Sequence, residues 1–153
     1  MKTGIIIVDH GSRRDESNRL LERVAAAFAE RFAARYDVVE PAHMELAEPS
    51  IASAYARCVQ RGATRVVVAP YFLGPGKHWT ADIPGLTAAA AANFPGTTYH
   101  VAQTLGLDDL ILELLDKRVQ HCVGNGYLCD VCKGTSREGN AECRMMNAES
   151  KAV

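Results

Sequence analysis

No stretch of this chain approaches the roughly 20 consecutive apolar residues that a membrane helix needs, and the opening apolar run, Ile5 to Val8, is too short for the core of a secretory signal. A charge excess of either sign is also missing: 17 Lys and Arg stand against 18 Asp and Glu, a formal net charge of −1. No global field therefore draws the protein to nucleic acid or to an anionic membrane, and neither is an expected partner, although a local basic rim around a pocket is still compatible with this total. Cysteine is scarce over most of the chain, with Cys58 alone before position 122. Cys58 falls within a helical pattern and reads as a small packed apolar residue. No repeat of solenoid length is present, and 153 residues are enough for one sizeable core but not for two full α/β domains. The expected location is the cytoplasm, or an organelle once a transit segment has been removed.

What is present is an alternation of strand and helix patterns. Residues 3 to 8 form a continuous apolar run, as in a strand buried on both faces. Residues 15 to 35 carry Leu20, Leu21, Val24, Ala27, Phe28 and Phe32 at helical spacing, with acidic residues first and Arg later, in accord with the helix dipole. Val38 to Met44 predicts a second strand, Pro49-Ser50 opens a helix that Gly62 closes, and Arg65 to Ala69 predicts a third strand. An Ala-rich helix from about Asp82 to Asn93, a strand over Thr97 to Ala102 and a helix over Leu107 to Gln120 complete the pattern. Such alternation implies a parallel sheet with right-handed crossovers. The expected fold class is α/β, a single flavodoxin-like three-layer lobe with a four-stranded parallel sheet over residues 1–122, followed by an irregular cysteine-containing tail over 123–153. Without a bound metal that tail is expected to be mobile.

Two histidines occupy equivalent places in this pattern. His10 follows the first strand in Asp9-His10-Gly11-Ser12, and His78 follows the third in Leu73-Gly74-Pro75-Gly76-Lys77-His78. In open doubly wound sheets ligands bind beyond the carboxyl ends of the strands where the winding reverses, commonly between the first and third strands. Neutral imidazoles from those loops suit borderline divalent metals such as iron, cobalt, nickel or zinc. Gly74 and Gly76 leave backbone open to a large planar ligand, whereas the spacing before Lys77 is not that of a phosphate loop. Glu45, at the end of the second strand, is a candidate for binding substrate, taking a proton or attracting a cation. Asp82, four residues after His78, reads first as a helix N-cap and second as the partner that fixes the His78 tautomer. Arg13, Arg14 and Lys77 flank the histidines as candidate cations for an anionic ligand. His43 and His100 read as structural, and His121 as a neighbour of the tail cysteines.

Asp9-His10-Gly11-Ser12-Arg13, Met44-Glu45-Leu46-Ala47-Glu48-Pro49-Ser50, and Pro70-Tyr71-Phe72-Leu73-Gly74-Pro75-Gly76-Lys77-His78 with Asp82-Ile83-Pro84 occur in one order across about 120 residues. In this the chain resembles the short form of the class II chelatases, the CbiX/SirB type that inserts a divalent metal into sirohydrochlorin. The resemblance implies that His10 and His78 bind the incoming metal, with His10 also the proton acceptor. It implies that Glu45 and the loop Leu73, Gly74, Pro75, Gly76, Lys77 and His78 hold the tetrapyrrole. It further implies a homodimer, because longer members enclose the cleft with two lobes. The metal substrate would be Fe2+ or Co2+, in siroheme or cobalamin biosynthesis.

Cys122, Cys129, Cys132 and Cys143 are candidate ligands for zinc or an iron-sulfur cluster. The similarity to plant-type sirohydrochlorin ferrochelatases, which carry a cluster through C-terminal cysteines, favours the cluster. The competing reading from another class is a metal carrier or regulatory module that processes no macrocycle.

Overall fold

The structure, a computed structural model, describes residues 1–126, 130–131 and 133–135. The described residues fall into two compact units, one ending at residue 106 and the other beginning at 107. The first contains β1 (Thr3–Asp9), α1 (Asp15–Arg31), β2 (Val38–His43), α2 (Ile51–Gln60), β3 (Arg65–Pro70), a π-helical turn (His78–Asp82), α3 (Ile83–Ala91) and β4 (Thr98–Val101). The four strands are all parallel in the order β2-β1-β3-β4. Thus β1 pairs with β3 on one side, Val8 opposite Pro70, and with β2 on the other, Asp9 opposite His43.

The order explains the layers. The chain steps from β1 outward to β2, then returns past β1 to β3 and on to β4. A crossover of fixed right hand must change faces when the direction of stepping reverses. Accordingly, Leu21 and Ala25 of α1 pack with Ile5 and Ile7 on one face, while Ile51, Ala54, Tyr55 and Cys58 of α2 and Ile83 and Ala90 of α3 pack with Ile6, Val8, Val66 and Val68 on the other. The unbroken apolar run in β1 is needed because both of its faces are covered. The reversal point lies between β1 and β3, where His10 and His78 leave the sheet.

Local rules account for the helix positions. Ser50 caps α2 through its hydroxyl, which accepts the Ser53 N–H at 3.2 Å. The α1 helix stops at Arg31, short of the predicted Arg35, and Leu20 is solvent-facing because the buried stripe runs through Leu21 and Ala25. The helix predicted from Asp82 begins instead with the π-helical turn at His78, and Asp82 makes no side-chain cap to α3. The N-cap reading of Asp82 is thereby corrected, because its carboxylate is taken by His78.

Burial pushes the Cys58 thiol up to about 12. The reactive thiolate is therefore suppressed, and alkylation of Cys58 in the native protein is expected to run at least ~10²-fold slower than in urea, because it must await opening of the core. Peptide mass mapping after timed iodoacetamide exposure checks this; equal rates in both conditions would contradict the packing reading.

In the second unit, α4 (Asp109–Gly124) is capped by Asp108, whose carboxylate accepts the Leu110 N–H at 2.9 Å. Among the described residues, no helix is long and apolar enough to cross a membrane.

Candidate active site

The carboxyl end of β1 is organised by Asp9. Its Oδ1 accepts the Gly11 N–H at 2.9 Å and the Nδ1–H of His43 at 2.6 Å. The pairing of β1 with β2 then continues past the strand ends: the Met44 N–H donates to Asp9 O at 2.8 Å and the Glu45 N–H to His10 O at 3.1 Å. At Gly11 the chain turns with φ +87°, and a Cβ there would lie 1.9 Å from the Glu45 carbonyl oxygen. Only glycine permits this approach. Leu46, immediately after Glu45, adopts a left-handed φ of +67°, a conformation that costs a side-chain-bearing residue about 1–2 kcal/mol. Two tight bends therefore hold the His10 and Glu45 backbones against each other.

The side chains meet in consequence. His10 Nε2 and Glu45 Oε1 are 2.8 Å apart, and His10 Nδ1 lies 3.2 Å from Gly11 O. Both contacts of the ring are acceptors, and a single ring proton goes to the nearer, charged one, so Nε2–H donates to the carboxylate. The second loop delivers His78, whose ring centroid lies 5.1 Å from that of His10 at an interplanar angle of 65°. His78 Nδ1 is 2.9 Å from Asp82 Oδ2 across one turn of the π-helix. Donation of Nδ1–H to this carboxylate leaves the Nε2 lone pair directed elsewhere, the tautomer a metal ligand requires. Imidazole nitrogens bind such metals at about 2.0–2.1 Å, which brings one ion within reach of both rings.

The histidine side chains are both close to half exposed; His78 lines a cleft of about 550 Å³ with Met44, Glu45, Ala81, Asp82, Gly85 and Leu86, and His10 adjoins it through its contact with Glu45. Glu45 and His78, predicted as site residues, are thus joined by an apolar wall from the start of α3 that carried no sequence signal beyond ordinary helix composition. Leu73, Gly74, Pro75, Gly76 and Lys77 are exposed in the loop before His78, and Cβ atoms built at Gly74 and Gly76 would meet nothing within 4 Å. Arg13 and Arg14 are exposed; Arg13 lines a neighbouring polar cleft with Ser12, Asn18 and Arg19.

The other carboxylate of the β2–α2 loop has a different task. Glu48 is held below its usual range chiefly by the Ser50 N–H, then by the Ser53 hydroxyl, and so serves the start of α2. Glu45 is the one left for the cleft. His100 is exposed on β4, and His121 is exposed on α4. His43, read from sequence as a satisfied structural residue, is fully buried, with Nδ1 engaged by Asp9 and Nε2 meeting no partner among the described residues. Of the tail cysteines, Cys122 lies in α4 as a free thiol, whereas Cys129, Cys132 and Cys143 lie outside the described residues. No group of three or more His, Cys, Asp or Glu suited to a metal ion occurs among the described residues.

Comparison with known proteins follows the same residues. The CbiX family model matches residues 4–122. Sirohydrochlorin ferrochelatase, chloroplastic, from Arabidopsis thaliana is 51% identical over 149 residues, covering 95% of this chain and 63% of the plant protein. Sirohydrochlorin cobaltochelatase from Methanosarcina acetivorans is 33% identical, covering 80% of this chain and 98% of that protein. The sirohydrochlorin chelatase SirB from Bacillus subtilis subspecies spizizenii, solved in complex with cobalt, superposes with a TM-score of 0.67 at 33% identity, covering 78% of this chain and 50% of the other. This chain therefore spans less than two thirds of the plant protein and half of SirB.

Proposed function

The chain belongs to the CbiX family, and from that premise we propose that it is a sirohydrochlorin chelatase that exchanges two pyrrolic protons of the macrocycle for one divalent metal ion, Fe2+ or Co2+. The observation that carries the reading is the convergence of His10 and His78 at 5.1 Å between ring centroids where β1 and β3 part. The Arabidopsis and Methanosarcina relatives are named for iron and cobalt insertion respectively, and the SirB structure holds cobalt, which supports those two metals as substrates.

The chain's own residues divide the labour. His78, oriented by Asp82, offers a lone pair to the ion before transfer. His10 can coordinate at Nε2 only after the proton there has moved, and the adjacent acceptor is Glu45. On metal arrival Glu45 thus takes the proton from His10 Nε2 and passes it to solvent, which Glu45 faces; once the ion has left for the macrocycle, His10 Nε2 is free to accept the two pyrrolic protons in turn and hand each along the same route. The near-neutral pKa of unperturbed imidazole makes such an exchange feasible at pH 7. The open backbone of Leu73 to Lys77 provides room for the macrocycle, and Lys77, Arg13 and Arg14 provide cations for its carboxylates. Glu45→Gln removes the acceptor without its bulk and is expected to lower kcat by about 10²-fold. Stopped-flow absorbance of metal insertion checks this, and a rate equal to wild type would remove Glu45 from proton transfer.

The proposal includes a homodimer, in which a second lobe closes the cleft that one lobe leaves open, and a reducing compartment; the sequence reads as cytoplasmic, while the plant relative is named chloroplastic. Three of the four cysteines of the zinc or cluster reading, Cys129, Cys132 and Cys143, lie outside the described residues, and the insertion chemistry uses none of the four. Purified protein mixed anaerobically with sirohydrochlorin and Fe2+ or Co2+ tests the whole: insertion converts the macrocycle spectrum, whereas a metal carrier would bind the ion and leave that spectrum unaltered.

A further inference from the structure

We infer that the buried Asp9–His43 pair is a positioning device for His10, and that His43 works through its Nδ1–H alone. This rests on the chelatase reading only for what His10 does; the positioning itself is a matter of hydrogen bonds. A single oxygen, Asp9 Oδ1, accepts both His43 Nδ1–H at 2.6 Å and the Gly11 N–H at 2.9 Å. His10 is the residue between those two anchors. A carboxylate held by one donor can swing about the Cα–Cβ and Cβ–Cγ bonds of its side chain; His43, clamped from the far side, removes that freedom and fixes where Gly11 turns. His43 is itself immobile, with its side chain fully buried and its backbone N–H donating to Pro49 O at 2.7 Å. Its Cβ is also 3.1 Å from where a Gly11 Cβ would stand. The rigid end of β2 thereby dictates the direction of the loop leaving β1.

Among the described residues His43 Nε2 meets no hydrogen-bond partner, whereas Nδ1 is engaged at 2.6 Å, so the contact to Asp9 is what distinguishes this imidazole from an apolar side chain of the same bulk. Partners that orient a functional imidazole commonly change activity or metal affinity on removal, even though they touch neither substrate nor ion.

The test compares His43→Leu, which keeps bulk but has no donor, with His43→Asn, whose amide N–H occupies the Nδ1 position, and His43→Gln, whose amide reaches instead toward the Nε2 position. His43→Leu is expected to lower kcat for Co2+ insertion by about 10–100-fold, with KM for sirohydrochlorin changed less than about twofold, while His43→Asn recovers most of that loss and His43→Gln does not. The His10 ring resonances, followed by NMR of histidine-labelled protein without metal or macrocycle, are expected to move in the Leu and Gln variants and to return toward wild type in Asn. A His43→Leu protein with wild-type kcat and unmoved His10 resonances would overturn the inference. So would Asn and Gln variants that are equally impaired, and this comparison stands even if the Leu variant does not fold. Failure of the wild type to convert sirohydrochlorin would reject the chelatase reading, and the resonances would still decide whether His43 positions His10.

Discussion

Replacing His78 or His10 with alanine is expected to lower metal insertion by about 10²–10⁴-fold, the range over which a positioned acid, base or ligand contributes to a rate. The two losses should differ in kind. His78 contributes a lone pair whose direction is set by Asp82 at 2.9 Å, so His78→Ala should weaken Co2+ binding in the absence of macrocycle. His10 is bound to Glu45 at 2.8 Å, so His10→Ala removes one ligand and also cuts the route by which a proton reaches that carboxylate. Both side chains are close to half exposed and belong to no core cluster, so thermal stability should change by no more than about 0.5 kcal/mol. Anaerobic insertion assays paired with Co2+ titration and thermal melts check this. Full turnover in both variants would reject the assignment of the pair, and a folded, metal-binding His78→Ala protein would reject its role as first ligand.

The second large effect is expected at a residue with no side chain. Gly11→Ala would place a Cβ 1.9 Å from the Glu45 carbonyl oxygen at a φ of +87°. The obstacle is backbone and the conformation is unfavourable for an L side chain, so neither rotation nor rotamer change relieves it. A loss of about 2–4 kcal/mol is expected, together with loss of insertion, because the only available relief is separation of the two loops that bring His10 and Glu45 together. Gly74→Ala is the control: its Cβ would meet nothing within 4 Å, and its stability should stay within about 0.5 kcal/mol of wild type. Urea unfolding of the two variants decides, and a Gly11→Ala protein as stable as wild type would contradict the geometry.

These effects show unequal legibility along the chain. The His10 and His78 loops were readable because a β-branched run followed by a polar or glycine-rich segment and then a helical period marks the carboxyl end of a parallel strand, and parallel strands share that end. Glu45 was readable for the same reason, though its function was not, because a loop carboxylate beside His10 and one beside solvent look alike in sequence; Glu48, three residues on, turned out to serve the start of α2. Asp82 reads from sequence first as a cap and second as the partner of His78, and the second reading is the one the structure has. The spacing of four residues fits either role, and the choice depends on whether the turn winds as α or π, which no local propensity states. The Asp9–His43 contact spans 34 residues and was invisible until strand order put β2 beside β1 with those two positions in register.

By itself the sequence determined the elements, their parallel alternation and the family, since hydrophobic period and motif order are properties of the chain read along its length. The tertiary structure alone decided which polar groups face one another: Glu45 against His10, Asp82 against His78, and His43 against Asp9. Those pairings depend on strand order, register and the sharp turn at Gly11, and hydrogen bonds act over about 3 Å in space without regard to distance along the chain.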